Sequence, residues 1–414
     1  MAEVGCPYFA VALMRTESTR NCCASSRRLS AAVTGGILRR GRRGYRWHVA
    51  RSRLHELSER GVSVWVDSLS REMLETGELA RLIDEDAVVG VTSNPTIFEK
   101  ALSTGDWYDE QLRAELEHSD DTRDVFFALA IEDIKRACDL LRPVWDRTGG
   151  VDGFVSLEVD PDLAYERDAT FDQAKLLTEL VDRSNLLVKI PATVPGIGAI
   201  EDSIAAGRSI NVTLIFSLER HAAVAEAFIR GLERLVASGG DPTHVASVAS
   251  FFVSRVDTEA DRRLAEVGRE DLQWRLAVDN AKLAYQHYLG VFSGRRWEAL
   301  AAAGARPQRC LWASTSTKNP AYRDVLYVED LIGTATVNTM PFETISAFQD
   351  HGVSHETLTQ GVDEAQALLG RLAAAGVDYD DVTDTLEREG VQKFSDSFAS
   401  LLAGIDAKRA VLAV

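Results

Sequence analysis

From residue 62 onward the chain repeats one alternation eight times: a short run rich in β-branched residues, then a longer stretch with apolar residues every three to four positions. The runs are VSVWVD (62–67), VVGVTSN (88–94), GFVSLEV (153–159), LLVKIPA (186–192), INVTLIF (210–216), VASVASFFV (245–253), RCLWAS (309–314) and ATVNTM (335–340). Between them, TFDQAKLLTELVDR (170–183) and SLERHAAVAEAFIRGLERLVAS (217–238) carry helical periodicity. Strands joined through helices pair in parallel with right-handed crossovers. Eight such units in one chain fit a closed (β/α)8 barrel, a TIM barrel of the α/β class, better than an open doubly wound sheet. The insert at 98–147 predicts at least two helices, helical spacing continues over 263–289, and 382–402 reads as a last helix packed on the barrel exterior. With no internal repeat or low-complexity linker, residues 54–414 are expected to form a single catalytic domain.

Residues 1–53 do not share this pattern. They hold eleven arginines against two acids, a local charge of +9, which leaves −26 for the rest of a chain whose total is −17. Such a body has no broad basic face for nucleic acid. The segment is expected to be a disordered extension. It is read as translated upstream sequence with the natural start near Val49, an organelle-import presequence or a nucleic-acid-binding tail being the alternatives. The apolar run at 9–14 is too short for a secretory signal, and nothing later approaches the 18 residues of a membrane span. The five cysteines (Cys6, Cys22, Cys23, Cys138, Cys310) form no disulfide framework, which favours a reducing, cytoplasmic setting.

A barrel of this kind gathers its chemistry at the C-terminal ends of its strands. There the runs place Asp67, Asn94, Glu158, Lys189, Thr213, Ser250 and Ser314. Most have a structural reading as well: Asp67 as a helix cap, Asn94 as an Asx turn before Pro95, Glu158 with Asp160 as an acidic loop edge, Thr213 and Ser250 as barrel filling. Lys189 is harder to place that way. Flanked by Leu187, Val188, Ile190 and Pro191, its amine is expected to face desolvation, which disfavours the ammonium form. A neutral lysine adds to carbonyls, and the resulting imine draws electrons from a breaking carbon–carbon bond. An imine-forming aldolase-like or decarboxylase-like enzyme therefore stands ahead of a structural lysine. Pro191 is expected to turn the chain out of the strand directly after this residue.

Other chemistries lack their motifs. No Walker A sequence occurs, and GGVDGF (149–154) is not a dinucleotide fingerprint. The eight histidines are scattered without an HExxH; His351 and His355, four apart, lack acidic or thiol partners on a strand end, and no metal site is expected. Cys310, beside Leu311 and Trp312, reads as a small core residue.

With VKIPAT, TSNPTIF, INVTLIFS and ASFFVSRVD in this order, the chain resembles the transaldolases, and within them the longer bacterial and plant-type branch, over about residues 54–405. The resemblance implies a barrel circularly permuted relative to other imine-forming aldolases, working without a cofactor as a monomer or homodimer on sugar phosphates. It implies transfer of a dihydroxyacetone unit from sedoheptulose 7-phosphate to glyceraldehyde 3-phosphate, giving erythrose 4-phosphate and fructose 6-phosphate. Residue by residue, it implies that Lys189 forms the imine, that Asp67 moves the proton of the C4 hydroxyl, and that Glu158 and Thr213 hold a relay water. Asn94 and Ser250 would bind substrate hydroxyls and Arg255 the phosphate. Two motifs depart from the commoner family pattern. Ser250-Phe251-Phe252 stands where many members read SPF, and WASTSTKNPAY (312–322) offers Ser314 and Lys318 where many place a serine and an arginine. Lys318 then acts as a point charge in place of a bidentate guanidinium. A fructose 6-phosphate aldolase and a non-catalytic scaffold barrel are the alternative readings.

Overall fold

The computed structural model describes residues 52–412; the expected extension lies outside the described residues except for its last two, which lead into a helix at Arg53–Glu59. Each of the eight runs forms a strand: β1 (Val62–Val66), β2 (Val88–Val91), β3 (Phe154–Glu158), β4 (Leu186–Pro191), β5 (Ile210–Ile215), β6 (Ser247–Phe252), β7 (Arg309–Ala313) and β8 (Thr336–Met340). They pair in parallel in sequence order, and β1 meets β8 from Val62↔Thr336 to Val66↔Met340, so the sheet closes on itself. Closure removes the free edges that an eight-stranded open sheet would expose.

The alternation of each strand divides its residues between barrel lumen and helix layer. On β1, Ser63, Trp65 and Asp67 share one face. The Trp65 indole lies over β2 at Gly90, where a Cβ would come within 2.5 Å of the ring, so only glycine admits it. At the N-terminal end the lumen is shut by Arg309, which donates to Ser63 Oγ (2.8 Å), Val151 O (2.7 Å) and Asp152 Oδ1 (3.0 Å), while Ser63 donates to Asp152 Oδ2 (2.9 Å). The opposite face of β6 and β7 packs outward: Phe251 meets Trp312 edge-on at 6.3 Å under the helices.

Two expectations gain detail. The insert after β2 holds three helices, Pro95–Ser103, Asp109–Leu116 and Thr122–Arg147. The helical spacing over 263–289 belongs to two helices, Ser254–Glu266 and Leu276–Val291. Gly268, at φ +68°, ends the first in a Schellman turn in which Arg269 N donates to Leu264 O and Gly268 N to Ala265 O. The apolar periodicity runs on across a break that holds two left-handed residues, Gly268 and Trp274, and a short 3-10 turn at Glu270–Leu272.

The last helix, Tyr379–Leu412, is a correction: it crosses the C-terminal mouth of the barrel instead of lying on its outside wall. Gly390 lies against Leu214 and Phe216 at the top of β5. Phe398 seats on Phe126 (5.3 Å, edge-on) and Phe127 (6.4 Å), each buried ring contributing about 2 kcal/mol. Between these anchors Phe394 reaches the lumen. Pro191 is the other correction. β4 pairs through it (Pro191↔Thr213) and Ala192 N still donates to Thr213 O, so the chain leaves the sheet only at Thr193, whose Oγ caps the next helix at Gly196 N.

Candidate active site

Parallel register sets the first contact of the site. β3 and β4 pair Glu158↔Lys189, side by side on the lumen face. Lys189, 4% exposed, has its Nζ 3.0 Å from Glu158 Oε2 and donates to Ser93 O at 2.9 Å. The ion pair is close but poorly aligned, and Glu158 Oε2 has no well-directed donor among the described residues. Burial raises the Glu158 carboxyl above the ordinary glutamate range, against the lowering influence of Lys189. The sequence reading rested on desolvation of the amine alone. The structure adds a carboxylate that attracts the ammonium form and can also receive its proton. Phe394 lies over the amine, its ring centre 5.8 Å from Nζ.

Asp67 does not cap the next helix; Ser70 does, accepting from Met73 N. Instead its Oδ1 accepts from Thr92 Oγ1 at 2.6 Å, and Thr92 Oγ1 lies 2.7 Å from Thr339 Oγ1. Burial raises the Asp67 carboxyl, while the Thr92 hydrogen bond and the charges of Lys189 and Arg255 oppose the rise. Two carboxyl groups with raised pKa thus flank one buried amine.

Thr213 owes its direction to an irregularity. β5 carries one extra residue relative to β6 between Val212 and Ile215, and Leu214 sits at φ +58°. Such a bulge re-aims a side chain. It leaves Thr213 Oγ1 buried without a hydrogen-bond partner among the described residues. Ser250 is already committed, donating to Asn211 Oδ1 (2.6 Å), whose amide donates to Ser156 Oγ (3.0 Å). Asn94 is a helix N-cap, not the Asx turn of the structural reading: its Oδ1 accepts from Ile97 N at 3.0 Å at the start of Pro95–Ser103, and the same residue lines the cavity. Arg255, with its Cζ 5.1 Å from the Phe252 ring centre, has a buried Nη1 with no partner among the described residues. Ser314, at φ +55° just past β7, lies 2.9 Å from Ser254 Oγ, and exposed Lys318 donates to Ser316 Oγ at 2.6 Å.

Eight of the nine residues singled out in the sequence (Asp67, Asn94, Lys189, Thr213, Ser250, Arg255, Ser314, Lys318) line one cavity of about 300 Å³ at the barrel mouth. Glu158 stands behind Lys189. Sequence reasoning missed Thr92, Thr339, Lys100, Glu343 and Phe394, which line it too. Thr92 directly precedes Ser93-Asn94 and could have been found there; Phe394 arrives from the far end of the chain with no local signal. Cys310 is a buried core thiol, 3.8 Å from His221 Nε2. Burial pushes the thiol up and the imidazole down to about 3, the reverse of an activated thiolate–imidazolium pair. His351 is bound to Asp324 (2.8 Å) and Asp350 (3.1 Å) at the surface. Among the described residues no three His, Cys, Asp or Glu side chains converge in a metal-holding arrangement, and no helix is long and apolar enough to cross a membrane.

The family described as Transaldolase/Fructose-6-phosphate aldolase matches residues 64–405, which takes in every strand but the first two residues of β1 and all of these side chains. The chain belongs to the transaldolase family. Its relatives include the transaldolase of Acidothermus cellulolyticus, 54% identical over 85% of this chain and 95% of that protein. That of Frankia alni is 52% identical over 85% and 96%, and that of Thiobacillus denitrificans 49% over 84% and 98%. At this identity and coverage the chain is an enzyme of the transferase class, and its closed (β/α)8 barrel is the transaldolase fold.

Proposed function

We propose that residues 54–414 form one catalytic unit that moves a dihydroxyacetone group between sugar phosphates through an imine on Lys189. The observation that carries this reading is a buried amine between two raised carboxyl groups at the head of a cavity into which Arg255 brings an Nη1 unpartnered among the described residues. Lys189 gives its proton to Glu158 and the neutral amine adds to C2 of a ketose phosphate such as sedoheptulose 7-phosphate. Glu158 and Thr213, whose buried oxygens lack aligned partners, direct a water that carries protons as the carbinolamine loses water. The protonated imine is an electron sink. Asp67 takes the C4 hydroxyl proton, the C3–C4 bond breaks, the aldose leaves, and the three-carbon enamine stays on Lys189. Glyceraldehyde 3-phosphate then enters, the new C–C bond forms, Asp67 returns the proton, and water frees fructose 6-phosphate.

Asn94 and Ser250 hold hydroxyls of the bound ketose. Arg255, with Ser314 and Lys318, neutralises the terminal phosphate, and these cations draw in a dianion that the acidic body repels. A coupled assay with both sugar phosphates tests the reading. Sugar turnover that needs the acceptor aldehyde is the expected result. Release of free dihydroxyacetone from fructose 6-phosphate without acceptor would assign an aldolase instead, and no turnover would leave a scaffold.

A further inference from the structure

The cleft has a second arm. Beyond the cavity that holds Lys189 lies another of about 330 Å³, and the two share Asp67, Ile97, Lys100, Pro341 and Glu343, so they diverge at the carboxylate that handles the C4 proton. Their chemistry differs. The first arm alone holds Lys189, Arg255 and Lys318, whereas the only charged side chain confined to the second is Glu72. With Asp67 and Glu343 against a single cation, Lys100, at the junction, the charges around this arm are predominantly acidic and oppose a phosphate dianion. Its wall is instead aromatic and preformed. Trp107 is 41% exposed, and beside it Tyr108 is buried with its hydroxyl fully engaged, donating to Asp133 Oδ2 (2.7 Å) and accepting from Arg71 N (2.8 Å). Arg71 in turn pairs with Asp133 and stacks over the Tyr108 ring at 5.0 Å, so a buried network fixes Tyr108, beside Trp107, in place.

An apolar ring face with carboxylates beside it suits a chain of C–H and O–H groups better than an anion. We infer that the second arm is an acceptor subsite for aldehydes with an uncharged, polyhydroxylated tail. The inference rests on the transfer reaction proposed above. The acceptor's carbonyl lies at Asp67 in either case; the enamine C3 bonds to the carbonyl carbon, the oxygen takes the proton from Asp67, and water releases the unphosphorylated ketose from Lys189. Which arm takes the tail is decided by whether the tail carries a phosphate.

The test compares transfer from fructose 6-phosphate to erythrose 4-phosphate and to erythrose, in wild type, Trp107→Ala and Glu72→Lys. Both altered residues line the second arm only. Trp107→Ala should lower kcat/KM for erythrose about tenfold while leaving erythrose 4-phosphate within about twofold. Glu72→Lys should raise kcat/KM for erythrose 4-phosphate relative to erythrose by a few-fold, because it admits phosphate to the second arm. Borohydride trapping of each variant on fructose 6-phosphate confirms an intact site. Equal losses on both acceptors, no loss on either, or a wild type that cannot use erythrose would overturn the subsite while the transfer reading stands. A wild type that transfers to neither acceptor would overturn the proposed function and this inference with it.

Discussion

The barrel carries an ion pair at each end, and the two are built differently. At the N-terminal end Arg309 and Asp152, 11% and 13% exposed, are saturated: three acceptors surround the guanidinium, and both carboxylate oxygens receive donors. At the C-terminal end Lys189 and Glu158, 6% and 5% exposed, are deeper yet less satisfied, with Glu158 Oε2, Thr213 Oγ1 and Arg255 Nη1 all lacking aligned partners among the described residues. Buried polar atoms are mostly paired, and Thr213 Oγ1 and Arg255 Nη1 in the cavity, with Glu158 Oε2 behind Lys189, are among the exceptions. One end is closed by satisfied polar groups, and the other leaves polar groups unsatisfied beside a cavity.

Exchanging the cation at each end breaks this comparison most sharply. Lys189→Met should lower activity by at least about 10⁴-fold with little loss of stability, because Glu158 can take a proton once its partner is gone. Arg309→Met should do the opposite, lowering unfolding free energy by about 3 kcal/mol by stranding Asp152 while leaving kcat of the folded enzyme unchanged. Denaturant unfolding and single-turnover assays on both proteins read the two effects apart. A loss of kcat in folded Arg309→Met would mean that the floor also serves chemistry.

A smaller effect sharpens the picture at Asp67. The Thr92 hydrogen bond favours the carboxylate, so Thr92→Val should raise the Asp67 pKa further above the ordinary aspartate range. Because cleavage needs the carboxylate, the acid limb of kcat then moves to higher pH and activity at neutral pH falls by up to about tenfold. A limb that stays in place would show that another group sets it. Smallest should be Phe394→Leu, which keeps most of the packing but removes the ring over the amine. Free dihydroxyacetone should then form a larger share of product, by a few-fold, since water reaches the intermediate more easily; an unchanged ratio would assign Phe394 to packing alone.

How much of this was legible follows from the range of each signal. Strands announce themselves locally through β-branched runs, and all eight did. Lys189 was visible because a charge in LLVKIPA has no inexpensive structural use. Its partnership with Glu158 needed the register, which sequence spacing does not contain. The helix break after Glu266 was missed because left-handed residues at Gly268 and Trp274 leave the apolar periodicity on either side intact. The path of the last helix was missed for a different reason: an amphipathic period shows that a face is buried, not whether it covers the wall or the mouth. Thr92 and Thr339 look like filling until the fold brings them within 2.7 Å of each other beside Asp67.

The most direct measurement is borohydride reduction in the presence of fructose 6-phosphate, followed by mass spectrometry of the digested protein. A reduced three-carbon or sugar adduct on the peptide containing Lys189, absent in Lys189→Met, is the expected result. An unmodified Lys189 in an active enzyme, or an adduct on another lysine such as Lys100 or Lys318, would contradict imine chemistry at the head of this barrel.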